Sequence, residues 1–235
     1  MNKMKLYIFL SFPILLLAGF QEASGQAIEK NGWLFWSHQQ KLSERWQFSS
    51  DVQVRSADKL GYANTLLIRP GIGYKLRADQ TVTVGYTYFG TWERENNESV
   101  HENEHRVFEQ FQIENKIQRI EISNRVRFEQ RFLDQSGDRF FAQRIRHYIT
   151  AQIPLFTDPL FEKGTFLTIQ NELFLNVQGQ DKLGTKLFDQ NRSYLGLGYR
   201  FNDHVEMEAG YMFRYIIDET NTRNNILQLS LRTSF

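Results

Sequence analysis

The sequence predicts an all-β fold, a single antiparallel transmembrane β-barrel of 10–12 strands that follows a cleaved signal peptide. Three observations predict it: an export-type N-terminus, an aromatic-rich chain of low mean hydropathy, and a run of long strands whose side chains alternate in polarity.

Residues 1–25 have the layout of a signal peptide. Lys3 and Lys5 give a basic start, 6–18 form a short apolar stretch, and Ala23-Ser24-Gly25 supplies small residues for cleavage. The apolar run is too short for a membrane helix. This divides the chain into a signal peptide, 1–25, and a barrel domain, 26–235.

Composition narrows the class. Twenty-eight basic residues balance 27 acidic ones, which leaves no field for nucleic acid. Cysteine is absent, which excludes disulfides, thiolate nucleophiles and Cys-ligated zinc. Aromatics make up 14% of residues, yet mean hydropathy is −0.50. A transmembrane barrel reconciles the two: its strands alternate apolar and polar residues, and its aromatics gather at the membrane interfaces.

Eleven segments read as strands: 33–42, 45–56, 64–77, 80–91, 105–117, 119–133, 139–155, 165–178, 191–202, 205–217 and 224–235. Bacterial single-chain barrels hold an even number, so one strand is expected to be added or to drop out. In 165–178 one face carries Leu167, Ile169, Leu173, Leu175 and Val177, broken by Asn171. The other carries Thr168, Gln170, Glu172, Asn176 and Gln178, with Phe166 and Phe174. Short links near 42–45, 77–80, 116–119 and 202–204 alternate with longer polar ones near 57–64, 91–104, 134–138, 179–190 and 218–225. Pro159 marks 156–164 as a further loop.

A hairpin pattern occurs twice. Gly71-Ile-Gly-Tyr-Lys-Leu leads to Gly85-Tyr86, and Gly196-Leu-Gly-Tyr-Arg-Phe leads to Gly210-Tyr211. The glycines are expected on the inner face, where they leave room for large neighbours. The chain ends with Leu227, Leu229 and Leu231 alternating toward a terminal Phe235, like the signal read by the outer-membrane assembly machinery.

Trp36-Ser-His-Gln-Gln-Lys-Leu-Ser-Glu-Arg-Trp46 and Asp51-Val-Gln-Val-Arg55 resemble the opening hairpin of the outer-membrane barrels grouped as domain of unknown function 2490. Arg144-Ile-Arg146 and Asn171-Glu172-Leu-Phe-Leu-Asn176 are also similar to that family. The resemblance covers the mature chain and implies a barrel and a location. It implies no reaction and no catalytic residues.

Alternation places a charged belt on the inner wall: Arg55, Arg69, Glu121, Arg125, Arg127, Glu129, Arg131, Arg144, Arg146, Glu172, Arg200, Glu206, Glu208 and Arg214. A lipid-facing Arg costs about 2–4 kcal/mol at mid-membrane, so these side chains must face the lumen. They form either a salt-bridge lattice or, since Arg outnumbers acid, a basic stripe that binds or passes anionic solutes.

The acid-rich segment 92–105, with His101 and His105, matches no metal motif and reads as a solvated loop. No Gly-x-Ser-x-Gly, phosphate loop or His-Glu-x-x-His occurs. Ser37 and His38 are adjacent on a strand and face opposite ways. The expectation is therefore a porin-like or plugged, non-enzymatic barrel in a Gram-negative outer membrane, with no cofactor and no metal. Its partners would be outer-membrane lipids, lipopolysaccharide and the assembly machinery. A membrane-embedded lipid hydrolase or acyltransferase is the alternative. A soluble lipocalin-like barrel would need the opposite polarity of faces.

Overall fold

Segments that alternate in polarity can satisfy both faces of a sheet only if one face meets a polar medium and the other an apolar one, and here the sheet closes on itself. The computed structural model describes residues 28–57, 60–95, 98–135, 137–217 and 221–235. The signal-peptide segment lies outside them. The strands are β1 (Ile28–Lys41), β2 (Trp46–Ala57), β3 (Tyr62–Arg77), β4 (Gln80–Glu95), β5 (Glu98–Ile117), β6 (Ile120–Gln135), β7 (Asp138–Thr157), β8 (Gly164–Gln178), β9 (Phe188–Asn202), β10 (Val205–Ile216) and β11 (Arg223–Ser234). A short helix α1 (Gln180–Leu183) lies between β8 and β9. Neighbours in sequence pair antiparallel throughout, which makes a meander. The links after β1, β3, β5, β7 and β9, together with Phe235, form what is called here the lower rim.

All eleven candidate strands belong to the wall, and none is added or lost. The even count is thus not met. An odd meander brings its first and last strands together running the same way, so β1 and β11 close the barrel in parallel, from Ile28↔Arg223 to Gln39↔Ser234.

A second correction concerns 91–104. This segment is a continuation of two strands, paired through Thr91↔Glu102 and Trp92↔His101. Glu104 therefore stands in a ladder and points inward, buried. Both prolines within strands sit at irregularities, because proline cannot donate to a ladder. Pro154 lies at a register shift between β7 and β8, and the β3–β4 pairing passes from Ile68↔Tyr88 to Gly71↔Gly85 across Pro70.

The barrel is inside-out relative to a soluble core. Leu195, Leu197, Leu227 and Leu229 are exposed on the outer wall, while Glu129, Arg127, Arg146 and Glu172 are buried. So continuous an apolar outer surface far exceeds the patches a soluble monomer carries. Aromatics cluster near the lower rim, where Trp46 meets Tyr74 and Tyr199 meets Phe201, each pair with ring centroids 5.0 Å apart. The inner-face glycines make room as expected. A Cβ on Gly85 would lie 2.3 Å from the Phe108 ring, and one on Gly210 equally close to the Tyr194 hydroxyl.

Facing can be tested with single cysteines, since the chain has none of its own. In bilayers, a water-soluble thiol reagent is expected to label Glu172→Cys and Arg200→Cys, and to leave Leu173→Cys and Leu197→Cys unmodified. The reverse pattern would mean a register wrong by one residue, which moves every side chain to the other face.

Candidate functional site

The lumen has two parts, an ionic plug above and a cavity below. The plug is built on two carboxylates. Glu129, with no exposed surface, accepts Arg144 Nη2 at 2.7 Å and Arg146 Nη1 at 2.6 Å. Glu104 accepts Arg106 through Nε and Nη2, both at 2.7 Å, and Arg131 through Nε at 2.5 Å. Arg144 also lies 3.5 Å from Asp189. Glu104 and Arg106 are two residues apart and so share a face, while Arg131 and Arg144 reach in from the neighbouring strands. Forked guanidiniums suit such shared carboxylates because they donate in pairs.

Below it, Glu172 ties the plug to the cavity. It accepts Arg146 Nη2 at 2.7 Å and Arg125 Nη2 at 3.1 Å, with Arg192 3.9 Å away. Glu208 takes the Tyr194 hydroxyl at 2.6 Å and Arg232 Nη2 at 3.1 Å, and also accepts from Thr168. Glu206 and Glu121 hold Arg200 at 2.6 and 2.7 Å, and Asp51 holds Arg69 at 3.2 Å.

Arginine exceeds acid here, and aromatic rings and amides take up part of the excess. Arg55 has no carboxylate partner among the described residues. It donates to Gln53 and lies 4.0 Å from the Trp33 ring centroid. Arg127 donates to Gln110 and stacks over Phe108 at 4.4 Å. Arg106 lies over Phe89, Arg125 over Tyr148, and Arg146 over Phe174. A desolvated cation over a ring gains about 2 kcal/mol, so a ring can stand in for part of a counter-ion.

The cavity, about 480 Å³, reaches from this layer down to the lower rim at Gln39, Glu114, Asp203 and His204. Its inner end is bounded by Arg69, Arg125, Arg127, Arg146 and Arg192, against Asp51 and Glu172. The link between β7 and β8 folds over one side of the rim. Phe161, fully buried at φ 61°, packs on Phe166 and lies 3.9 Å from the Arg200 guanidinium, which donates to its carbonyl at 2.6 Å. Asp158 organises the turn by accepting the backbone N–H groups of Leu160, Glu162 and Lys163. Desolvation works to raise its pKa, but these donors outweigh it and hold the carboxyl below the ordinary aspartate value.

Every residue of the sequence-derived belt faces the lumen, including Arg214, which donates to Asn224 at 2.9 Å. Sequence reading missed Glu104, Arg106, Asp189, Arg192 and Arg232. Glu104 was lost because 91–104 read as a loop, whereas Arg106 lies in the expected strand 105–117 and could have been found from its alternation. Arg192 and Arg232 keep the alternation of their strands and could have been found from it. His38 bonds Thr233, His105 bonds Tyr86, and His147 bonds Asn124. Leu227, Leu229 and Leu231 lie on the outer wall. The Phe235 ring stacks on His204 at 5.3 Å.

Residues 30–225 match the family described as a protein of unknown function, DUF2490. The chain is also similar to an uncharacterized protein of Methylorubrum extorquens, 26% identical over 167 residues that cover 70% of this chain and 69% of that protein. With the match spanning most of its length, and a closed barrel that agrees with the resemblance of its opening hairpin, the chain belongs to the DUF2490 family.

Proposed function

We propose that this protein is a Gram-negative outer-membrane barrel with a closed lumen, a structural wall element and not an open pore. The observation that carries the reading is Glu129, without exposed surface and gripped by Arg144 and Arg146 at mid-lumen. A solute crossing the barrel would have to break these desolvated pairs. Location is supported by the apolar outer wall, which needs a hydrocarbon environment, and by the export-type N-terminus. The lower rim, with its short links, then faces the periplasm. Lipid, including lipopolysaccharide, packs against the wall, and the assembly machinery inserts it.

Two measurements test this. The mature protein is expected in the outer-membrane fraction, with different gel mobility before and after heating. Purified protein in planar bilayers is expected to show little conductance at any salt concentration. Large, anion-selective steps would refute closure, and recovery in the soluble periplasm without detergent would refute the location.

A further inference from the structure

The cavity below the plug has more guanidinium than its own acids engage. At its inner end five arginines face two carboxylates, and both carboxylates are occupied: Asp51 by Arg69, and Glu172 by Arg146 and Arg125. Arg192 reaches no carboxylate closer than 3.9 Å, and Arg127 likewise lies 3.9 Å from Glu129. Three donors there have no hydrogen-bond partner: Arg69 Nε, Arg125 Nε and Arg127 Nη1. Arg127 and Arg69 are only 3% and 6% exposed, and both line the cavity. Arg69, Arg125 and Arg146 are near enough to Arg127 to repel it. Arg125 and Arg192 keep 18% and 12% of their side-chain surface open.

A cluster of buried, mutually repelling cations with unmet donors is stabilised by an anion. We propose that the cavity binds a small oxyanionic solute, its phosphate or carboxylate oxygens set against Arg125, Arg127 and Arg192, with entry from the lower rim. The volume lies in the range of small-molecule sites, which run about 300–1,000 Å³. Trp33, Phe35 and Tyr148 also line it and give an organic anion an apolar surface to rest on. The wall is paired all the way round, so a lipid headgroup has no lateral route in. The dead end rests on the closed lumen proposed above, but the two ideas fail separately: conductance tests closure, and binding tests the site.

The probe is inorganic pyrophosphate, titrated calorimetrically into the mature barrel in non-ionic detergent at low salt. Saturable binding that weakens as salt rises is expected. Arg192→Gln and Arg127→Gln should each weaken it by about tenfold or more, since charge-assisted donors are lost. Neither change strands an acid, because Glu172 keeps Arg146 and Arg125, and Glu129 keeps Arg144 and Arg146. Unchanged heat-dependent gel mobility verifies that both variants are folded. No saturable binding to the unmodified protein, or an affinity in both variants equal to that of the unmodified protein, overturns the site. Competition by a short-chain phosphatidylglycerol would overturn the claim that the ligand is a soluble solute.

Discussion

Glu129→Gln is expected to destabilise the barrel by about 3–5 kcal/mol, because it removes one side of a buried ion cluster and leaves the other. Gln has the same shape, so packing is preserved and only charge and donor pattern change. Arg144 and Arg146 would lose their shared anion, and Arg106 and Arg127, 4.0 and 3.9 Å from it, would lose the charge that offsets their repulsion. The new amide would also turn a donor toward a guanidinium that needs an acceptor. The useful comparison is Glu206→Gln. There Arg200 retains Glu121 and the Phe161 carbonyl, and Arg232 retains Glu208, so a loss of about 1 kcal/mol is expected. Urea unfolding of both variants in the same detergent measures the difference. Equal, small losses would show that the lumen is wet enough to solvate these charges, and that the plug is not a plug.

Strands and their facing were legible because both depend on a period of two, which any stretch of sequence displays. The charged belt follows from the same rule together with the cost of a charge in lipid. Partnership is a different matter. Arg146 bridges Glu129 on one neighbouring strand and Glu172 on the other, and that depends on the relative stagger of three strands. Alternation fixes which way a side chain points but not the height at which it meets its neighbour. The division of the lumen into plug and cavity has the same origin. A sequence reading that counts arginine against acid sees one basic stripe. The structure separates Glu104 and Glu129, which neutralise the upper arginines, from the lower arginines that rely on Phe108, Tyr148 and Gln110.

Glu104 shows how a correct physical rule can mislead. Acids, amides and histidines between 92 and 105 suggest solvated loop. Yet β4 and β5 stay paired up to Glu95↔Glu98, and ladder bonding continues wherever both strands can extend. The eleven-strand count shows the reverse case. Alternation identified all the strands, and a rule drawn from other bacterial barrels set that count aside. Nothing in the covalent structure forbids an odd meander, provided that β1 and β11 accept a parallel ladder, whose pairing is slightly weaker per residue.

That seam makes Phe235 matter, and removing it is expected to abolish most assembly. Its backbone is built into the closure: Phe235 donates N–H to the Gln39 carbonyl at 2.9 Å, and its own carbonyl accepts the Lys41 N–H at 2.6 Å. Its ring stacks on His204, in the link between β9 and β10, and lies near His38 of β1. Deletion therefore costs two ladder bonds at the weaker parallel seam as well as the ring that pins it to the rim. Phe235→Ala separates the contributions, because it keeps the backbone bonds and loses only the ring. If closure alone requires Phe235, the alanine variant should refold in detergent and reach the outer membrane with little loss, while the deletion fails in both settings. If the Phe235 ring is also read by the assembly machinery, the alanine variant should refold from urea into micelles to within about 1 kcal/mol of the unmodified barrel, yet accumulate unassembled in cells. The second outcome is the expected one, since the ring is half exposed on the lower rim, where a partner can reach it. Normal assembly of the deletion in cells would show that neither the seam bonds nor the ring decides closure.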